Sequence, residues 1–245
     1  MLIGYGFQTV PPEWKVEEKT ACGYVRVYDV YSGDAVYEDG GGARPLKPGS
    51  ICLFPSAAPF SIRHDPKRPL CCTHLHLDVA PAVLRQMTVI PPAENSLPRK
   101  IFDALRTAAG EGNEEVLEPL AAAFEVYCRQ QGLFLRLDSG ISAALLAMSG
   151  DVRKNWRLRE LGALAGYSES YFIRRFRAEV GVPPHQYLIS CRMKHAARLL
   201  WNKEVPVGQV AEQSGYPDLK AFSRAFRNHY GLSPSAYRQA GRLFP

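Results

Sequence analysis

Two segments near the C-terminus carry arginine, lysine and serine at the spacing of one exposed helix face. Those side chains are Ser170, Ile173, Arg174 and Arg177 in the first segment, and Lys220, Ser223, Arg224 and Arg227 in the second. Arginine can hydrogen-bond the O6 and N7 atoms of guanine together, and serine reaches base edges or phosphates. These residue types on one face therefore predict binding in the major groove of duplex DNA.

The two segments are copies of one internal repeat. Residues 165–177 match residues 214–227, and the second copy has one extra residue, Pro217. The match then continues at a constant offset into the pairs Gly181 and Gly231, Pro184 and Pro234, and Tyr187 and Tyr237. Two matched copies are far more specific than a single pattern, so we favour paired functional units over a helical bundle with a solvated basic face.

Each copy has the pattern of a helix-turn-helix. A short helix, residues 158–165 or 207–214, is followed by Gly166 or Gly215, because glycine readily adopts the positive φ that ends a helix. The recognition helices are predicted at about 168–179 and 218–229. Their expected N-caps, which would bond a free backbone N–H through a side-chain oxygen, are Ser168 and Asp218. Phenylalanines four residues apart should face the core, and these are Phe172, Phe176, Phe222 and Phe226.

A third helix is predicted between the copies, from Pro184 to about Asn202. Its apolar stripe consists of Ile189, Met193, Ala196, Ala197 and Leu200. Such a helix would hold the recognition helices at a fixed separation, and successive major grooves on one face of DNA lie about 34 Å apart. Arg192 and His195 on the same helix either contact phosphates or lie on a solvated face.

Net charge is distributed unevenly along the chain, and the part that contains the repeat is the basic one. The 245 residues have a net charge of +6. Residues 151–245 hold 16 Lys and Arg against 7 Asp and Glu, a net charge of +9, which leaves −3 for residues 1–150. A basic C-terminal part beside a mildly acidic N-terminal part indicates that one domain meets a polyanion.

The first 80 or so residues have the pattern of a small β-barrel or sandwich. Residues 24–30 alternate, so Val25 and Val27 should share one face and Tyr24, Arg26 and Tyr28 the other. Further strands are predicted at 51–54 and 72–79, with Gly- and Pro-rich turns at 39–42 and 46–50. If the face of Arg26 lines the barrel, it would hold a sugar or a small carboxylate among its aromatic neighbours. We favour the alternative, in which that face is solvent-exposed.

Two amphipathic helices are predicted to follow, at 98–109 and 114–130. Their apolar stripes are Ile101, Leu105 and Ala108 in the first helix, and Leu117, Leu120, Ala121, Phe124 and Tyr127 in the second. These stripes either pack on the barrel or form a dimer interface, since both arrangements bury them.

The histidines and cysteines of the barrel are candidate chemical sites. His74 and His76 share a strand face, as metal ligands would, and His64 precedes them. No glutamate follows at ligand spacing, and we expect Leu75 and Leu77 to face the interior, which turns the histidines outward. We therefore expect no metal and no other cofactor.

The six cysteines include the adjacent pair Cys71 and Cys72, but no CxxC pair. Neighbouring side chains on a strand point to opposite faces, so this pair is expected to stay reduced rather than act as a redox site. Reduced thiols, no apolar run of about 18 residues and no signal-peptide pattern together predict a cytoplasmic protein without a membrane span.

The C-terminal residues resemble the AraC/XylS family of transcription regulators. The matching stretches are 161–168, 171–181, 184–188, 210–211, 214–216, 222–227, 231–234 and 237–238. The resemblance extends more weakly to 46–50 and 54–55, which are similar to the cupin-like effector-binding barrel of the arabinose-regulator subgroup.

The resemblance implies a fold of the α+β class, with a cupin-like N-terminal barrel, following helices, and an all-α domain with two helix-turn-helix units joined by a long helix. The corresponding domains are 1–92, 93–135 and 136–245. It also implies a small-molecule effector such as a sugar or a small organic acid, a homodimer, and contact with RNA polymerase. By position, the base-reading residues are Ser170, Ile173, Arg174, Leu219, Lys220, Ser223 and Arg224. Ile173 and Leu219 depart from hydrogen-bonding residue types and would only pack on a thymine methyl group.

The predicted function is therefore sequence-specific regulation of transcription, without enzymatic activity. The alternative is a metal-dependent cupin-type enzyme with a helical appendage, which would require a bound metal and a set of ligands. No Ser/His/Asp pattern, phosphate-binding glycine loop or carboxylate pair supports other chemistry.

Overall fold

A computed structural model describes residues 1–19, 22–91 and 93–240. The chain divides into two compact units, residues 1–135 and 136–245. In the described residues, the first unit combines β-strands with two α-helices and a short 3-10 helix, and the second consists of α-helices and the loops between them. This order confirms the predicted fold class, a small β domain followed by helices and then an all-α region.

The described strands of the first unit form two antiparallel sheets. The strands are β1 (Leu2–Thr9), β2 (Lys15–Glu18), β3 (Val25–Ser32), β4 (Ala35–Asp39), β5 (Gly42–Leu46), β6 (Ile51–Phe54), β7 (Phe60–His64), β8 (Cys71–Leu77) and β9 (Thr88–Ile90). The order in one sheet is β1-β8-β3-β6-β9, and in the other it is β2-β7-β4-β5. The glycine turn at 39–42 joins β4 to β5 as a tight hairpin, as its sequence predicts.

Two helices follow the strands, and both pack on the five-stranded sheet. They are α1 (Leu97–Gly110) and α2 (Leu117–Gln130). Their apolar stripes share one buried cluster with Val25, Val27, Leu75 and Leu77. Of the two alternatives for these stripes, packing on the barrel is therefore the arrangement observed.

The space between the sheets is filled by aromatic side chains. Phe54 stacks on Phe60 with ring centroids 5.7 Å apart, and Tyr28 meets Phe54 edge-on at 4.9 Å. These residues and Tyr37 belong to a second buried cluster, which both sheets contribute to. The five-stranded sheet is thus covered on both faces, by helices outside and by the opposite sheet inside.

This double coverage overturns the expectation for His74 and His76. Both histidines are buried on the side that faces the other sheet, while Leu75 and Leu77 lie against the helices. The register pairs Arg26 with His76 and Tyr28 with His74, so the Arg26 face is also internal and not solvent-exposed as we favoured. The alternating sequence pattern correctly divided the residues of these strands between two faces. The polarity of the side chains did not show which face was directed inward.

A buried ion pair attaches α1 to the barrel. Arg99 donates from Nη1 to both carboxylate oxygens of Asp29 at 2.7 Å, and from Nη2 to the carbonyl of Gly49 at 2.6 Å. Asp29 lies on β3 and is fully buried. A buried carboxylate requires such a partner, because its desolvation is otherwise costly.

The described part of the second unit consists of α-helices and short loops. The helices are α3 (Ser139–Gly150), α4 (Leu158–Ala165), α5 (Glu169–Val180), α6 (Pro184–Trp201), α7 (Val207–Gln213), α8 (Leu219–Tyr230) and α9 (Pro234–Ala240). Helix α6 contacts α3 and α5 on one side of the repeat and α7, α8 and α9 on the other. It therefore links the two copies, as predicted.

The predicted apolar stripe of α6 is correct except at Ile189. Met193, Ala196, Ala197 and Leu200 are buried, but Ile189 is 39% exposed. Ile189 lies near the N-terminus of the helix, outside the buried cluster formed by the second copy. Among the described residues, none of the helices has both the length and the apolar character needed to span a membrane.

Candidate nucleic-acid interface

The turns of both copies depend on glycines with positive φ. Gly166 ends α4 at φ 74°, and Gly215 follows α7 at φ 77°. In each turn the next residue returns its N–H to the preceding helix, Tyr167 to Gly162 and Tyr216 to Ala211. The glycines thus reverse the chain where the sequence predicted.

The cap residues differ between the copies. Asp218 accepts a 2.7 Å hydrogen bond from the backbone N–H of Ala221, as expected for an N-cap. Ser168 occupies the same position before α5, with an extended backbone, but its side chain makes no capping hydrogen bond. The predicted cap is therefore confirmed for Asp218 and wrong for the Ser168 hydroxyl, although the Ser168 carbonyl still accepts from Phe172.

Buried aromatic residues orient both recognition helices, α5 and α8. The four repeat phenylalanines, Phe172, Phe176, Phe222 and Phe226, are each 0% exposed. In each copy a tyrosine from the following helix packs on the second phenylalanine, Tyr187 at 5.8 Å and Tyr237 at 5.2 Å. Burial of this side forces the opposite side of each helix outward.

The predicted DNA-binding residues lie on those outward sides. The exposed members are Ser170, Arg174, Arg177, Leu219, Lys220, Arg224 and Arg227, and the half-buried members are Ile173 and Ser223. Leu219, at the first turn of α8, is 48% exposed. The structure thus gathers each set on one helix face, and within the described residues no salt bridge joins its arginines or Lys220 to an acidic side chain.

Tyrosines support the first face, which the sequence reading did not anticipate. The guanidinium carbon of Arg174 lies 5.4 Å from the ring centroid of Tyr171. Tyr171 meets Tyr167 edge-on at 4.9 Å, and the Tyr167 hydroxyl donates to Asp138 Oδ1 at 2.7 Å. This bond to a carboxylate raises the pKa of Tyr167 and lowers that of Asp138. The four-residue spacing of the tyrosines after the turn was the available signal.

The second copy uses its turn tyrosine differently. Tyr216, the counterpart of Tyr167, lies 5.8 Å from the guanidinium carbon of Arg192 on α6. Arg192 also donates to the carbonyls of Val152 and Lys154, at 2.8 Å and 3.3 Å. Arg192 is therefore a structural brace between α6, the loop before α4 and the second turn, rather than a free phosphate contact.

The other predicted phosphate contact on α6 is His195. It is half-buried, and burial lowers its pKa, with a smaller contribution from the charge of Arg198. A neutral imidazole is a weak partner for phosphate near neutral pH, so the arginines and Lys220 supply the charge of this interface.

A polar cluster lies inside the barrel around Arg26. Its guanidinium bonds Glu18 Oε1 at 2.7 Å and donates to His76 Nε2 at 2.9 Å, and it lies 5.2 Å from the Tyr24 ring centroid. Burial, reinforced by the charge of Arg26, lowers the pKa of His76 well below its ordinary value. The three predicted effector residues, Tyr24, Arg26 and Tyr28, all face this interior region.

The barrel histidines do not fit a metal site. Arg26 already occupies Nε2 of His76 and places a positive charge beside it. His64 lies on the other sheet, with Nε2 3.2 Å from the carbonyl of Pro12. Within the described ranges, no three His, Cys, Asp or Glu side chains are grouped as metal ligands would be.

The cysteine pair also shows no redox arrangement. Cys71 and Cys72 are both free thiols, and Cys72 is buried while Cys71 is partly exposed. Burial raises the pKa of the Cys72 thiol, which disfavours the reactive thiolate. The predicted opposite orientation of neighbouring strand residues accounts for this difference.

Comparison with known proteins matches the helical region to a described family. Residues 161–240 match the family described as a helix-turn-helix domain. An uncharacterized HTH-type transcriptional regulator of Haemophilus influenzae is 34% identical over 115 residues, which are 46% of this chain and 39% of that protein. An AraC-like transcription regulator of Streptomyces antibioticus is 33% identical over 102 residues, 42% of this chain and 34% of that protein.

A third relative is the MmsAB operon regulatory protein of Pseudomonas aeruginosa, 38% identical over 85 residues, 35% of this chain and 28% of that protein. The chain thus spans less than two fifths of the length of these relatives. Among solved structures, unsaturated-fatty-acid-bound ToxT of Vibrio cholerae has a TM-score of 0.68 at 13% identity, over 97% of this chain and 94% of that chain. This TM-score shows a shared fold, and at 13% identity the likeness shows the fold alone.

Proposed function

We propose that this chain, whose residues 161–240 match the helix-turn-helix domain family, is an AraC-type transcription regulator that binds a specific site on duplex DNA. We place its action in the bacterial cytoplasm. The proposal assigns the protein no enzymatic reaction. The alternative of a cupin-type metalloenzyme has no support from the barrel histidines, since Arg26 already donates to Nε2 of His76.

One observation carries the proposal, namely that two structurally matched helix faces present cationic side chains to solvent. Each face has two exposed arginines, Arg174 and Arg177 on α5, and Arg224 and Arg227 on α8. A major groove accepts one helix, and arginine makes the commonest specific contact, to guanine. A merely solvated bundle would not require the same positions to be exposed in both copies.

Apolar residues on the faces add a second kind of contact. Ile173 is half-buried, and Leu219 is 48% exposed at the start of α8. Neither side chain can hydrogen-bond a base, but both can pack on a thymine methyl group. We infer that each half-site combines a guanine read by arginine with a thymine read by apolar contact.

Helix α6 supports the pairing of the two faces. It packs against both copies, and Arg192 fastens it to the loop before α4 and to the second turn. A rigid pair of recognition helices would enter successive major grooves, which lie about 34 Å apart on one face of DNA. The DNA site should therefore contain two short motifs about one helical turn apart.

We further propose that the N-terminal unit binds a small effector. Its interior combines a dense aromatic core with the polar group of Arg26, Glu18 and His76. ToxT, which shares the fold, has been crystallised with an unsaturated fatty acid. For this chain, we propose that the effector is a sugar or a small organic acid.

Self-association and contact with RNA polymerase complete the proposal. The apolar stripes of α1 and α2 are already buried against the five-stranded sheet. A homodimer would therefore use the outward side of α2, where Val126 is 53% exposed. Sedimentation of the full chain, with and without DNA, measures whether one or two copies bind.

The decisive experiment is selection of bound sequences from a random duplex library at two salt concentrations. An enriched site with two motifs about one helical turn apart would support the proposal. Sequence-independent binding that weakens with salt, both alone and with candidate sugars and acids present, would contradict base reading.

Variants then assign the motifs to the helices. Arg174→Ala and Arg224→Ala should each weaken binding by about 1–3 kcal/mol and relax preference in one motif only. Arg175→Ala is the matched control, because Arg175 pairs with Glu179 on its own helix and lies off the proposed face. Equal losses for all three variants would mean that only net charge matters.

A further inference from the structure

The two recognition helices differ in what supports their central arginine. Arg174 on α5 stacks over Tyr171, with its guanidinium carbon 5.4 Å from the ring centroid. The corresponding pair in α8 is Arg224 and Ala221, because the copies are offset by 50 residues. Alanine offers no ring, so the described structure supports Arg174 by stacking in a way that Arg224 lacks.

The stacking ring is itself held in place. Tyr171 is 40% exposed and would be free to rotate on an isolated helix. Here it packs edge-on against Tyr167 at 4.9 Å, and Tyr167 is fixed by its 2.7 Å hydrogen bond to Asp138. Asp138 in turn caps α3 by accepting from Gly140 and Ile141. A continuous series of contacts therefore leads from the N-terminus of α3 to the exposed face of α5.

We propose that Tyr171 is a positioning residue that holds the Arg174 guanidinium ready for base contact. The first helix-turn-helix would therefore discriminate its guanine more strictly than the second. The proposal rests on the proposed DNA-binding function and deepens it. Arginine loses rotamer entropy when it binds a base, and a stacked guanidinium has lost part of that freedom beforehand. Stacking also leaves the edge of the guanidinium, which carries its donors, open to the groove.

The first test examines the free protein and does not depend on DNA. Side-chain NMR of the arginine Nε–H groups should show Arg174 more ordered than Arg224, with a ring-current shift. Tyr171→Ala should abolish both differences, while Tyr171→Phe should keep them because the ring remains. If Arg174 is as mobile as Arg224 in the unaltered protein, the proposal is wrong, whatever the protein does with DNA.

The second test is a double-mutant cycle on the selected DNA site. Tyr171→Ala should weaken binding about two- to fivefold, the effect expected for an exposed cation–π contact. In the Arg174→Ala background the same change should have almost no effect, because its partner is gone. A loss of equal size in both backgrounds would overturn the proposal, because Tyr171 would then act independently of Arg174.

Base preference provides a readout that a change in folding would not produce. Tyr171→Ala should reduce discrimination at the guanine assigned to Arg174 and leave the second motif unchanged. Ala221→Tyr places a ring beside Arg224 and should sharpen the second motif. Unchanged preference in both variants would contradict the proposal. An ordered Arg174 in a protein that selects no DNA site would instead refute the proposed function, and with it the reading role of Tyr171.

Discussion

Gly215 lies so close to Val152 that a Cβ atom added to it would be 2.8 Å from the Val152 carbonyl oxygen. The added Cβ atom would also be 3.0 Å from Arg192 Nε, which donates a hydrogen bond to the Val152 carbonyl. The turn of the second helix-turn-helix and the loop before the first are therefore in direct contact, and glycine is needed there for space as well as for its φ of 77°.

Gly215→Ala should thus lower the free energy of unfolding of the helical unit, residues 136–245, more than Gly166→Ala does. Both glycines have positive φ, so each alanine costs about 1–2 kcal/mol of backbone strain. A Cβ at Gly166 meets nothing within 4 Å, so only Gly215→Ala adds displacement of the brace. Urea unfolding of both variants measures the difference, and equal free energies of unfolding would contradict this close packing.

The unequal caps of the recognition helices lead to a second prediction. Asp218→Ala removes an observed bond to Ala221 and should cost about 1 kcal/mol of stability. Ser168→Ala, at the matching position, should cost much less, because the Ser168 side chain makes no capping bond. Thermal unfolding of the two single variants checks this order, and a larger loss for Ser168→Ala would show it to be wrong.

The ion pair between Arg99 and Asp29 should be important for the first unit. Arg99→Ala leaves a fully buried carboxylate without its cation, for which a loss of about 3–5 kcal/mol is typical. The matched control is Arg68→Ala, because Arg68 pairs with Asp34 on the surface and should contribute about 0–1 kcal/mol. Denaturant unfolding measures both, and similar losses would refute the distinction.

His76 makes the stability of the first unit depend on pH. Its pKa in the folded state lies well below the ordinary 6.5, because burial and then Arg26 disfavour the charged ring. Below pH 6.5 the unfolded chain binds a proton that the folded chain does not, so stability is full above pH 6.5 and falls as pH decreases.

The expected slope is about 1.4 kcal/mol per pH unit for one proton. Free energies of unfolding at several pH values from 7.5 to 5 should therefore fall less steeply for His76→Gln than for the unaltered protein. The difference between the two slopes isolates His76 from the other groups that titrate in this range, including His195. Parallel slopes would mean that His76 titrates normally.

The repeat shows how much of the interface the sequence alone determined. Matched glycines, phenylalanines and arginines placed the recognition helices to within one residue and put the charged residues on one face, since helix period and core burial are local consequences of residue spacing. The same local rules found the strand at Ile51–Phe54 and the apolar stripes of α1 and α2.

Tertiary structure decided what depends on contacts between distant residues. Alternation in β3 and β8 could not show which face was internal, because α1 and α2 bury the side opposite the barrel interior. The support of Arg174 by Tyr171 and the use of Arg192 as a brace likewise depend on residues brought together by folding. Sequence spacing specifies a helix or strand face, but only packing specifies what each face meets.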